Sequence, residues 1–140
     1  ADTLTKEQRS ARMALIKAKD TKPELLVRRL VHGLGYRYRL HKKGLPGRPD
    51  LVFGWRKKVI FVHGCFWHQH LNCRYARMPK SKTGYWSEKL TGNRERDVAN
   101  VRRLESMGWR SLIIWECELK NLPKITKKIA DFLEPQKNKE

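Results

Sequence analysis

An α/β fold, with a mixed central sheet flanked by helices, is what this sequence predicts, on three observations. Leu51-Val52-Phe53 and Lys58–Val62 are apolar runs joined by the turn Gly54–Lys57, which reads as an antiparallel hairpin. Trp109–Trp115 is another apolar run, reached from the hairpin through a long helical stretch, and strand–helix–strand implies a parallel, right-handed crossover. Amphipathic segments before the hairpin and after the last strand supply further helices to cover the sheet. The 140 residues suffice for one domain, expected over 1–134 with a basic N-terminal arm of about 19 residues and a disordered tail over 135–140.

Taken in order, Leu4–Ala18 reads as a helix with a capping box at Thr5 and Gln8. Its apolar stripe (Met13, Leu15, Ile16) is narrow and its other faces are basic, so it is expected to be an arm that orders against a partner. Thr21-Lys-Pro-Glu24 is a second capping box that opens a helix; Leu26, Val27, Leu30, Val31 and Leu34 share a face, and Gly35 ends it. Tyr36–Leu40 alternates like a strand with one wet face, and the loop His41–Arg48 leads to Pro49-Asp50. The short hairpin places Asp50 opposite Phe61 or Val62, and hence beside His63. A helix is predicted from about Tyr85 to Met107, with a break near Gly92 and a buried face of Val98, Val101 and Leu104. Pro123 starts a last helix with Ile125, Ile129 and Phe132 on one face.

The formal charge of +18, from 32 Lys and Arg against 14 Asp and Glu along the whole chain, favours a polyanionic partner, nucleic acid first. No segment approaches the roughly 20 apolar residues that span a bilayer, so no membrane partner is expected and the chain is read as soluble and intracellular. Three cysteines cannot all pair internally, which argues for thiolate ligands over a disulfide framework.

Chemistry concentrates in Val59–Cys73, VIFVHGCFWHQHLNC, where a buried strand breaks at His63-Gly64 and the eleven residues from His63 hold three histidines, two cysteines and Phe66-Trp67. The crossover brings Cys117 to the same sheet edge. Cys65, His70, Cys73 and Cys117 then make a Cys3His set for a tetrahedral, structural zinc, with His68 an alternative to His70 on spacing alone. Asp50, His63 and His68 remain near the strand ends. Pro49-Asp50 followed by Phe61-Val62-His63 has the frame of the PD-(D/E)xK nuclease motif, although Phe61 stands in place of the second acid and His63 in place of Lys.

LPGRPD (Leu45–Asp50), FVHGCFWHQH (Phe61–His70), NRERD (Asn93–Asp97) and GWRSLIIWEC (Gly108–Cys117) closely resemble the very short patch repair (Vsr) endonucleases, and the likeness runs from about Thr5 to Leu119. The resemblance implies a restriction-endonuclease-like fold, one structural zinc, and Mg²⁺-dependent nicking of double-stranded DNA beside the thymine of a T:G mismatch. It also implies Asp50 as the metal-binding carboxylate, the Val62 backbone carbonyl as a second Mg²⁺ ligand, and His68, oriented by Asp97, as activator of the attacking water. His63 would assist at the phosphate, and Glu24 would join the water network of the metal. Phe66, Trp67 and Trp86 match aromatics that wedge into the mismatch, and Met13 one inserted from the other groove; core packing is the alternative for Phe66-Trp67 and helix packing for Met13. An extra residue near Leu71-Asn72 departs from the family spacing before Cys73. The family further implies a monomer, a cytoplasmic, nucleoid-associated bacterial location, and mismatch-repair proteins as candidate partners. A zinc-stapled DNA-binding module without catalysis is the competing reading, motivated by the missing second acid and Lys.

Overall fold

Thr21 opens the first helix of the computed structural model, which describes residues 21–134; the arm helix, Met13 and the tail from Pro135 lie outside the described residues. The elements are α1 (Lys22–Gly33), β1 (Arg39–Leu40), β2 (Leu51–Phe53), β3 (Lys58–His63), α2 (Thr83–Ser106), β4 (Arg110–Trp115) and α3 (Leu122–Leu133), with short 3-10 turns at Arg74–Ala76 and Glu116–Lys120. The four strands form one mixed sheet in the order β1-β2-β3-β4. The first three run antiparallel, and β3 and β4 run parallel with His63 level with Trp115.

Alternation along the strands sorts the core onto two faces. Leu51, Phe53 and Ile60 point to one face, where Val27 and Val31 of α1 and Ile125, Ile129 and Leu133 of α3 close over them. Val52, Val59 and Phe61 point to the other, where Leu104 of α2 meets them. Each such side chain stabilises the fold by about 1.5–3 kcal/mol through removal from water. Local signals set the helix ends. The Thr21 hydroxyl accepts from the Glu24 N–H at 3.4 Å, with Pro in the first turn, and Gly35 leaves the helix at a φ of +92°.

Three expectations are corrected. The strand over Tyr36–Leu40 shrinks to Arg39–Leu40. Tyr36 and Tyr38 instead pack on the core cluster, and the Tyr36 hydroxyl donates to Glu134 at 2.7 Å. Helix α2 passes Gly92 without a break for 24 residues. A mid-helix glycine costs only about 1 kcal/mol relative to alanine, and burial of Leu90 and Leu104 on either side outweighs it. Val98 is 52% exposed and lies outside the core, and the buried residues of α2 are Leu90 and Leu104.

Candidate active site and metal centre

The site forms where β3 ends and the chain turns away from the sheet. Leu51 pairs with Ile60, so Asp50 falls opposite Phe61 at the start of β2. The Val62 N–H donates to Asp50 Oδ2 at 2.6 Å, which fixes the carboxylate at the strand end. Asp50, Glu24, His63, His68 and Asp97 line one polar chamber of about 200 Å³. Burial pushes Asp50 up to about 7, with the Val62 hydrogen bond opposing and the charge of Glu24 adding.

His63 is buried, and its ring lies face to face with that of His68 at 3.7 Å and 6°. Burial, then the neighbouring His68, lowers His63 to about 4, so this imidazole is neutral at physiological pH. His68 Nδ1 bonds to Asp97 Oδ2 at 2.6 Å. A carboxylate on Nδ1 fixes the tautomer and leaves Nε2 free to take a proton. His63, His68 and Asp97 each offer a donor atom close enough for a shared cation. The short Asp97–His68 bond, however, already uses one donor from each of its partners.

Past Gly64 the chain winds through tight turns, with His70 N–H on Cys65 O at 3.0 Å and Gln69 and Asn72 at positive φ. The left-handed turn at Asn72 lies where the extra residue was noted, and the chain still returns Cys73 to the cluster. Donor atoms of Cys65, His70, Cys73 and Cys117 all lie within 4.8 Å of one another. His70 joins the thiols while His68 faces Asp97, which separates the two histidines that spacing left open. Burial pushes the Cys65 thiol up to about 12 and raises that of Cys117. Bonds of about 2.3 Å from sulfur to a tetrahedral zinc would set the ligand atoms about 3.8 Å apart, and the cage fits such an ion. The chamber fits a hard cation as well. It has oxygen donors, and burial beside a second acid raises the Asp50 carboxyl, a penalty that a divalent ion relieves.

Phe66, Trp67 and Trp86 form a cluster with ring centroids 5.1–6.0 Å apart. All three are part-exposed and none belongs to either core cluster. Several residues at the site were not singled out from the sequence. Gly47 lines the chamber at a φ of +80°, and a Cβ there would sit 3.1 Å from Phe61 and Asn100. Trp115 stacks on His70 at 4.1 Å. Gln69 Nε2 donates to Phe66 O at 2.7 Å and Ala76 O at 3.1 Å, and Asn93 Nδ2 donates to Trp67 O at 3.0 Å. The double-glycine loop before Asp50 was a usable signal for Gly47; the side-chain braces had none.

The family model for DNA mismatch endonuclease Vsr matches residues 1–74. Among curated proteins the chain is 46% identical to the type II nicking enzyme V.XorIIP of Xanthomonas oryzae, over 96% of this chain and 98% of that one. It is 47% identical to V.NmeAIP of Neisseria meningitidis, over 86% and 85%. It is 43% identical to DNA mismatch endonuclease Vsr of Escherichia coli, over 90% and 80%.

Proposed function

Because this chain belongs to the Vsr family of DNA endonucleases, we propose that it nicks one strand of a DNA duplex beside the thymine of a T:G mismatch, by Mg²⁺-dependent hydrolysis. The observation that carries the reading is the joining of Asp50, His63, His68 and Asp97 in one chamber beside a part-exposed aromatic cluster. Asp50 and the Val62 carbonyl would hold Mg²⁺, with Glu24 ordering the surrounding water. When bound there, the ion supplies charge neutralisation at the scissile phosphate.

The remaining steps belong to side chains. His68 Nε2 takes the proton of the attacking water, and Asp97 stabilises the imidazolium that results. His63, kept neutral beneath it, adds no repulsion to that charge and would assist at the phosphate. Phe66, Trp67 and Trp86 enter the stack at the mismatch. A T:G pair stacks poorly, so opening it costs less than opening a matched pair, and the difference becomes specificity. Cys65, His70, Cys73 and Cys117 would hold zinc, which pins the loop that carries Phe66 and Trp67.

The test is incubation of T:G and T:A duplexes with protein and Mg²⁺, mapping the cut on each strand. Cleavage beside the mismatched thymine is expected. Equal cutting of both duplexes would overturn the mismatch reading, and intact duplexes with retained binding would make the chain a binding module.

A further inference from the structure

Trp115 closes β4, level with His63 at the end of β3 in the parallel ladder. Its indole meets three imidazoles. The His70 ring lies flat against it, with centroids 4.1 Å apart and planes 9° apart. The His63 ring meets it edge-on at 5.2 Å, and the His68 ring does so at 6.5 Å. These histidines belong to two different centres. His70 turns Nδ1 toward Cys117 Sγ at 3.4 Å, within the Cys3His cage, whereas His63 and His68 line the Asp50 chamber. Among the described residues, Trp115 is the one ring in contact with both sets.

The torsion that turns a histidine ring about its own axis has broad minima, so what touches the ring must set its plane. The nitrogen lone pairs lie in that plane, and a turned ring swings them off a metal or a proton. Asp97 fixes the His68 ring through a hydrogen bond. His63 lacks that brace. Its buried Nδ1 has no hydrogen-bond partner among the described residues, and it packs against the rings of Phe61, His68 and Trp115. We propose that Trp115 is a positioning residue for both centres. Its indole sets the plane of His70 for the metal cage, and that of His63, on which His68 stacks, for the chamber. The cage half rests on the donor geometry alone; the chamber half rests on the nuclease reading above. Strand pairing holds the indole at the sheet end, so the two histidine sets share one rigid reference.

The experiment compares the full wild-type chain with Trp115→Leu, which keeps apolar bulk without a flat ring, and Trp115→Phe, which keeps a flat ring. Zinc affinity is read by competition with a chromophoric chelator, and nicking in single turnover on T:G duplex with zinc-loaded protein and Mg²⁺. Ring orientation is read from the histidine ring-proton resonances. Trp115→Leu should lower zinc affinity and nicking rate by about 10–100-fold each, the usual loss when a group that orients a ligand is removed, with T:G affinity unchanged. The His70 ring protons, held over the indole face, should lie upfield in wild type and return to ordinary positions in the leucine variant. Trp115→Phe should recover most of both losses. Trp115→Met gives the same comparison if the leucine variant does not fold. Equal zinc affinity and rate in the leucine and phenylalanine variants would overturn the proposal, as would a lowered melting temperature with both quantities at wild-type values. Wild-type protein without affinity for zinc, or a loss at one centre only, would also overturn it. Zinc affinity and His63 resonances that respond as stated, in a protein that nicks no duplex, would sink the nuclease reading and leave the positioning role in place.

Discussion

Asp50→Asn tests the metal chamber through stability as well as activity. Burial lifts Asp50 to about 7 in the folded chain, against the Val62 N–H and with help from Glu24, while an unfolded aspartate titrates near about 4. Between these values the folded chain holds a proton that the unfolded chain has released. The contribution of this group is therefore full below about pH 4 and is lost as pH rises towards about 7. Ionised at pH 8 without metal, Asp50 costs about 2–4 kcal/mol. Asparagine keeps an acceptor for the Val62 N–H and carries no charge, so it escapes this cost. The variant should melt about 5–15 °C above wild type at pH 8 in chelator, and level with it near pH 4. Saturating Mg²⁺ should raise the wild-type melting temperature and leave the variant where it was, with nicking abolished. Thermal unfolding from pH 4 to 8.5, with Mg²⁺ or chelator, gives all four curves. Parallel pH profiles for the two proteins, or equal Mg²⁺ stabilisation of both, would refute the placement of the cation at Asp50.

Three further outcomes are expected. His68→Ala should slow single-turnover nicking by about 10²–10⁴-fold with T:G binding retained; weakened binding at an unchanged rate would make His68 a DNA contact instead. Metal analysis should find one zinc per chain, and Cys117→Ser should lose both the metal and the soluble fold, since structural zinc contributes folding energy directly; active, zinc-free protein would sink the Cys3His centre. Trp67→Ala should lower the T:G-to-T:A affinity ratio by about 1–3 kcal/mol without lowering the melting temperature, whereas an unchanged ratio with a lower melting temperature would return Trp67 to a packing role.

The hairpin, the parallel crossover and the meeting of Cys117 with Cys65 were legible because each follows from apolar runs of fixed length and from the handedness expected of the connection. The short hairpin left Asp50 opposite Phe61 or Val62, and the pairing of Leu51 with Ile60 selects Phe61. Periodicity failed where a side chain serves a cavity rather than the core. Val98 is apolar and falls near the helical period of Val101, yet it faces open space. Tyr36 and Tyr38 alternate as strand residues do, but a hydroxyl bond to Glu134 and packing on the core held them off the ladder. The choice between His70 and His68 needed the path of a loop through two left-handed residues, Gln69 and Asn72, and spacing carries no trace of that path.

The unbroken passage of α2 through Gly92 is what lines up the two halves of the site. Trp86, Asn93 and Asp97 are spaced by seven and four residues, which brings them to within about 20° of one stripe on a straight helix. Each meets the loop after β3 at a different point. Trp86 joins the rings of Phe66 and Trp67, Asn93 holds the Trp67 carbonyl, and Asp97 holds the His68 ring. The loop is fixed at its near end by β3, and at its far end the Cys3His cage gathers it. The aromatic cluster and His68 are therefore neighbours in one braced segment, held by one rigid helix. A kink at Gly92 would turn Trp86 away from the stripe that holds Asp97. The aromatic cluster would then shift relative to the chamber, and under the proposed function a mismatch opened by those rings would no longer present its phosphate to His68.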